Sequence, residues 1–290
     1  MPYDAEISRA RPACFIFLID QSGSMGGKTS EGQVKAEVLA DAINEVLHSL
    51  ILRCTSDEGI RDYFKIAIIG YGAENEPDSV LSGRLSGQIF ATTSELSEGT
   101  MAVETRVERW PDGNGGFVDR VRKVPIWVRP VSQQGTPMCA ALTRVHALLD
   151  TWVSENYDHF PPIVLNITDA WATDGDPTEI GKKILSLRTE DGYALLFNLH
   201  IASAPEQGDA DPEKNRRIAF PATADGLDPR AAALFAISSP LPDRMLRYAD
   251  EYNVPLVSGS RGFVQNANID FIVKFLQIGT RNVPGGNLLR

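Results

Sequence analysis

Asp20, Ser22 and Ser24 place a carboxylate and two hydroxyls on a glycine-rich stretch, Asp20-Gln-Ser-Gly-Ser-Met-Gly-Gly27. They are hard oxygen donors, with no thiol or imidazole among them. Hard oxygens suit Mg²⁺, which takes six ligands at about 2.1 Å and keeps several waters. An uninterrupted apolar run, Cys14 to Ile19, precedes the group, and a helical pattern follows from about Glu31. A short apolar run bounded by turn residues reads as a buried parallel strand. Ligands of open α/β sheets collect just past the carboxyl ends of such strands. The same residue types also serve in a capped turn that satisfies helix N–H groups without metal.

The elements that must position these residues are legible along the chain. Glu31 to Leu52 carries Val34, Val38, Leu39, Ala42, Ile43, Val46, Leu47 and Leu50 at helical spacing. Phe64 to Tyr71 is a second buried strand, which completes a right-handed βαβ unit. Pro137 to about Tyr157 is a second amphipathic helix. Thr136 stands before Pro137 as an N-cap residue stands before proline at the first helical position, so its hydroxyl either caps that helix or binds a ligand. Ile163-Val-Leu-Asn-Ile-Thr-Asp169 is another buried strand. A helix over Pro177 to Arg188 follows, with Asp174 and Asp176 as its expected caps. Ala194 to Ile201 is a strand, Ile218 to Pro221 a short one, Asp243 to Tyr252 a helix, and a last helix starts near Asn268. Residues 231–238 are apolar with no clear period. The expected class is α/β: a doubly wound, mostly parallel sheet with helices on both faces and a β-hairpin insertion.

That insertion is read from Thr100–Trp110 and Phe117–Val131, two strand-like arms around the turn Pro111-Asp-Gly-Asn-Gly-Gly116. Its second arm is expected to feed the sheet edge. Asp112 and Asn114 lack EF-hand spacing and read as a plain turn. With no internal repeat or interdomain linker, the expectation is one domain over 1–280. Insertions fall at about 72–130 and 203–240, Ala204 to Lys214 is a surface loop, and 281–290 is a flexible tail.

The apolar share of 43% and charged share of 23% are those of a globular protein rather than a disordered one. A net charge of −10 disfavours nucleic-acid phosphates and anionic membranes as partners. No run is long enough to span a membrane, and Met1 to Ala10 does not read as a signal segment. Cys14, Cys54 and Cys139 are too scattered for a disulfide framework, which points to a reducing, cytoplasmic compartment. The histidines His48, His146, His159 and His200 read as surface or packing residues, His200 as a satisfied core side chain.

The spacing Asp20-x-Ser22-x-Ser24 resembles the first half of the metal-ion-dependent adhesion site of von Willebrand factor type A domains. That family completes its site with a distant Thr and a distant Asp. Thr136, in Gln134-Gly-Thr-Pro-Met138, and Asp169 supply those types in that order. The resemblance implies that Ser22, Ser24 and Thr136 contact the metal while Asp20 and Asp169 act through water. Mg²⁺ is the implied ion, with Mn²⁺ or Ca²⁺ as alternatives. The implied activity is recognition rather than catalysis: a protein partner presents an Asp or Glu that completes the coordination. The resemblance covers roughly 12–72 and 130–200 with the last helices. Ala170 departs from the glycine often found after the second Asp. The general pattern looks like intracellular bacterial, TerY-like members. That implies a scaffold or stress-response adaptor working with kinase, phosphatase or AAA+ ATPase systems.

A second reading uses Gly26-Gly27-Lys28-Thr29, which resembles the end of a P-loop and suggests a Mg-dependent, NTPase-like enzyme. Ser22 stands where that motif needs its first glycine, and Asp169 would be the acidic Mg²⁺ partner. A serine hydrolase is disfavoured because no Gly-x-Ser-x-Gly elbow is present. Trp171, beside Asp169, is either a contact for a partner or a ring folded onto the sheet.

Overall fold

Side-chain alternation along the strands sorts the apolar residues into two cores, one on each sheet face. The computed structural model describes residues 3–72, 76–111, 116–133, 135–203, 216–247 and 256–279. Strand β1 (Ala13–Asp20) leads through a 3₁₀ turn at Gly23–Gly26 into helix α1 (Lys35–Cys54). A small hairpin, β2 (Thr55–Ser56) and β3 (Gly59–Ile60), precedes β4 (Phe64–Tyr71). Then come β5 (Asp78–Ser79), β6 (Ala91–Thr92), α2 (Thr93–Glu98) and the long arms β7 (Ala102–Pro111) and β8 (Phe117–Ile126). Next are α3 (Met138–Glu155), β9 (Ile163–Thr168) and α4 (Thr178–Ser186). The hairpin β10 (Arg188–Thr189) and β11 (Gly192–Tyr193) leads to β12 (Leu195–Ile201). The described chain finishes with β13 (Ile218–Ala219), α5 (Pro229–Ala236), α6 (Asp243–Leu246), β14 (Phe263–Ala267) and α7 (Ile269–Gly279).

The central sheet runs β13-β14-β12-β9-β1-β4-β5, with β6 also on β4. Its interior pairs are all parallel, and only β13, β5 and β6 run antiparallel to their neighbours. Phe15, Phe17, Ile66, Ile68, Leu165 and Phe197 face the layer built with α1 and α7. Cys14, Ile16, Leu18, Ile69, Val164 and Leu196 face α3, α4 and α5. This is the doubly wound, mostly parallel α/β fold that the sequence predicts.

The second face also carries a buried polar ladder. Tyr71 Oη donates to Asn166 Oδ1 at 3.1 Å, Asn166 Nδ2 to Asn198 Oδ1 at 2.9 Å, and Asn198 Nδ2 to Ser238 Oγ at 2.9 Å. Buried amides and hydroxyls need such partners.

The insertion differs from expectation. β7 and β8 pair along their length with each other only, and the sheet edge at β4 is taken by β5 and β6. The second arm instead turns onto α1. There the buried Asn44 donates from Nδ2 to Val128 O at 2.9 Å and accepts at Oδ1 from the Trp127 and Val128 amides at 2.9 and 3.0 Å. Val124, Ile126, Trp127 and Val128 are all buried, so the hairpin is rooted in the helix layer.

Helix α1 begins at Lys35, not near Glu31. The Thr29 hydroxyl accepts from the Glu31 and Gln33 amides, and Gly32, at φ +85°, turns the chain. Residues 231–236 belong to α5, 237 and 238 follow its end, and β14 has no counterpart in the expected elements. The helix expected over Asp243–Tyr252 ends at Leu246, and 248–255 lie outside the described residues. So do the turn with Asp112 and Asn114, the loop over 204–214 and the tail over 281–290. Among the described residues no helix is long and apolar enough to cross a membrane.

Candidate metal centre

The parallel neighbours β1 and β9 lie where the chain's winding reverses, since β4 is added on one side and β9, β12 and β14 on the other. Their carboxyl ends deliver Asp20 and Asp169 to adjacent positions. Asp20 is buried, and its carboxylate is set from two directions. Oδ1 accepts from the Ser22 amide at 2.8 Å, and Oδ2 accepts from the Thr168 hydroxyl at 2.6 Å. Burial pushes the Asp20 pKa up to about 6, against the hydrogen bonds from Ser22 and Thr168, which pull it down.

The loop after Asp20 is clamped on both sides. The Gln21 amide donates to Tyr71 O at 2.6 Å, and the Gln133 amide donates to Gln21 O at 2.7 Å. Gly72, at φ +124°, passes so close that a Cβ there would sit 2.4 Å from the Ser22 nitrogen. Met25 plugs the 3₁₀ turn into the core. Ser22 is buried and Ser24 exposed, so the hydroxyl pair opens to solvent at Ser24.

Ser22 Oγ and Ser24 Oγ are 3.0 Å apart, and Ser24 Oγ donates to Asp169 Oδ1 at 2.7 Å. Two adjacent ligands of an octahedral ion with bonds of about 2.1 Å are themselves about 3.0 Å apart. The hydroxyl pair therefore has the spacing a divalent cation needs, a spacing that a hydrogen bond also fits. Among the described residues no group of three or more His, Cys, Asp or Glu is placed to hold a metal. Any ion here would rest on a donor set rich in hydroxyls and poor in charge. Hard donors at this spacing, on a rigid loop, fit Mg²⁺ or Mn²⁺.

Thr136 is buried on the loop before α3. Its amide donates to Thr173 Oγ1 at 3.0 Å and its carbonyl accepts from the Thr173 amide at 3.0 Å, which ties it to the loop after Asp169. Three residues upstream, Gln133 forms a parallel bridge with Ser22. The segments carrying Asp20–Ser24, Thr136 and Asp169 are thus directly bonded to one another. Thr136 does not cap α3. Asp174 does, with its two carboxylate oxygens accepting from the Cys139 and Ala140 amides at 3.0 and 2.8 Å. This corrects the expectation that Asp174 caps α4; Asp176 alone does so, through the Thr178 amide at 2.9 Å.

Sequence reasoning missed Lys35. Its Nζ lies 2.6 Å from Asp169 Oδ2 and 2.8 Å from Ser203 Oγ, with the lysine and aspartate side chains 5% and 0% exposed. A lysine beside Val34 at the start of a helical stripe gives no sequence signal of burial. Trp171 is half-buried and stacks on His200, with ring centroids 5.4 Å apart and planes at 14°. His200 is not the satisfied core histidine expected: its Nδ1 is buried without a hydrogen-bond partner among the described residues. Burial lowers the His200 pKa.

The P-loop reading meets a geometric obstacle. Its Lys-Thr must open the helix that follows. Here Lys28 is exposed and bridges Val34, and α1 starts only at Lys35.

Fold and loops together define a doubly wound α/β protein with a cluster of oxygen donors at its switch point. No family model matches the chain, and no curated protein matches it. Solved structures do match, each over part of a longer chain. Proximal thread matrix protein 1 from the mussel byssus is 12% identical, over 96% of this chain and 49% of its own, with a TM-score of 0.49. The pilus adhesin SpaC from Lactobacillus rhamnosus GG is 13% identical, over 92% of this chain and 30% of its own, with a TM-score of 0.49. The vWF domain of the type V pili tip protein Mfa5 from Porphyromonas gingivalis is 17% identical, over 56% of this chain and 39% of its own, with a TM-score of 0.32.

Proposed function

We propose that this chain is a von Willebrand factor type A-like interaction module. Its site would hold a divalent cation through Ser22, Ser24 and Thr136, with Asp20 and Asp169 as supporting carboxylates. The observation that carries the reading is the Ser22–Ser24 hydroxyl pair, 3.0 Å apart and backed by Asp169 at 2.7 Å, at the switch point of the sheet. When bound, the cation would supply an open coordination position for an acidic side chain of a protein partner. The chain's own residues do the rest. Thr168 and the Ser22 amide fix Asp20, the Gln21 and Gln133 bonds hold the loop, and Ser24 presents the site to solvent.

The module works by recognition rather than turnover, and magnesium is its cation in the cell. The acidic surface and the general pattern of the site loops favour a cytoplasmic bacterial scaffold or stress-response adaptor, with a kinase, phosphatase or AAA+ ATPase system as partner. An NTPase is disfavoured because Lys28 and Thr29 do not open a helix.

The test is calorimetric titration with Mg²⁺ and Mn²⁺ of the wild type and of Asp20→Ala, followed by capture of partners with and without chelator. Sparse oxygen sites of this kind bind at roughly sub-millimolar to millimolar concentration. Binding by the wild type and its loss in a folded Asp20→Ala protein is the expected result. Equal binding by both proteins, or none by either, overturns the reading.

A further inference from the structure

We propose that Lys35 is a built-in counter-cation that competes with a divalent metal for Asp169; the inference rests on the metal reading above. An aspartate buried as Asp169 is needs a compensating charge. Here the chain supplies it. Lys35 Nζ lies 2.6 Å from Oδ2, while Oδ1 accepts the Ser24 hydroxyl. Both oxygens of the carboxylate are therefore engaged before any ion arrives.

The lysine's place in the helix does not favour it. It is the first residue of α1, where the helix dipole opposes a cation. Its long side chain gives up rotamer freedom that a solvated lysine keeps. Asp169 and Ser203 hold it, from loops that follow the adjacent strands β9 and β12. The glycine loop closes over it as well: the Lys35 amide donates to Gly27 O at 3.0 Å, and a Cβ on Gly27 would lie 3.8 Å from Nζ.

Two consequences follow. The site residues are held in a chain, because the ammonium fixes Asp169, Asp169 fixes Ser24, and Ser24 fixes Ser22. A divalent ion among the same oxygens meets a resident positive charge, and one that takes Oδ2 displaces Lys35 Nζ from it. The flexible four-carbon stem of lysine permits that movement, with Ser203 as the remaining acceptor.

The experiment is Mn²⁺ titration of the wild type and of Lys35→Met, which keeps the stem and deletes the charge. The expected result is at least tenfold tighter Mn²⁺ binding by Lys35→Met, with a metal-free form that melts earlier and recovers on adding Mn²⁺. Binding by Lys35→Met alone also supports the competition, while removing the wild-type metal function proposed above. Equal or weaker binding by folded Lys35→Met, with the wild type still binding, overturns the inference and leaves the metal reading standing. No binding by either overturns both. If Lys35→Met does not fold, the wild type still decides. The Lys35 side-chain ¹³Cε resonance, assigned with Lys35→Arg, is expected to shift in step with Mg²⁺ saturation. A resonance unmoved at saturation overturns the competition.

Discussion

Asp20 and Thr168 meet at the ends of two parallel strands, with the threonine hydroxyl 2.6 Å from Asp20 Oδ2. That bond only partly offsets burial, and the Asp20 pKa stays up at about 6 against an ordinary 3.8. A carboxyl with a raised folded-state pKa binds its proton more tightly in the folded than in the unfolded chain. Its linkage contribution is therefore most favourable below pH 4 and is lost as pH rises towards 6. Without metal, the stability of the wild type relative to Asp20→Asn should fall by roughly 2–3 kcal/mol across that window. Urea unfolding at a series of pH values measures it. Thr168→Val should extend the upper end of the window to higher pH, because it removes a donor to the charged form; a pH-independent difference for either variant would contradict this account.

Asn44 is the fastener of the hairpin. Asn44→Leu keeps the apolar stripe of α1 but strands the Trp127 and Val128 amides and the Val128 carbonyl. We expect a loss of about 2–4 kcal/mol. Hydrogen exchange should accelerate at 127 and 128 well before it does in β1 or β9. Mg²⁺ affinity should be unaffected, since the site loops do not touch this contact.

Asp174→Ala should cost about 1 kcal/mol through loss of the α3 cap. It should also change Cys139. Burial raises the thiol pKa to about 11, and the charge of Asp174 adds to the effect. Removing that charge should speed alkylation of Cys139 at pH 8, measured by intact mass. An unchanged rate would show that burial alone governs the thiol.

Gly72→Ala combines a φ of +124° with a Cβ placed 2.4 Å from the Ser22 nitrogen. About 1–3 kcal/mol of strain is expected, with the Ser22–Ser24 loop displaced and cation affinity reduced. Gly87→Ala is the control: its φ is +80°, but its Cβ would meet nothing within 4 Å. It should carry the backbone penalty and leave the cation site alone. Thermal unfolding and Mn²⁺ titration of the pair separate the two effects.

The inner parallel strands β1, β4, β9 and β12 are legible because they are buried on both faces. Phe64–Tyr71 is an uninterrupted apolar run apart from Lys65, and its bounds agree to the residue. β14 escaped notice because Phe263-Val-Gln-Asn-Ala267 is short, half polar, and includes Asn266 at φ +55°. The start of α1 was misplaced because Val34 fits the helical stripe, while the turn at Gly32 that excludes it is a matter of backbone angle. Within the candidate site, Asp20, Ser22, Ser24 and Asp169 stood out through spacing and strand ends. Lys35 and Ser203 could not, since only the order β12-β9-β1 brings the loop after β12 beside the start of α1. Asp174 stands nearest α4 in sequence but caps α3, the helix nearest to it in space.

The ladder from Tyr71 to Ser238 bears on how the strands find their alignment. Sliding β9 past β12 by two residues would preserve which side chains point to which face, and nearly all of those side chains are apolar. Hydrophobicity alone therefore leaves several alignments almost degenerate. The pairing of Asn166 with Asn198 breaks that degeneracy, because a slip would part Asn166 Nδ2 from Asn198 Oδ1 inside the core. The ladder acts as a vernier for the sheet, and its Tyr71–Asn166 bond reaches across β1, the strand whose register with β9 sets Asp20 beside Thr168.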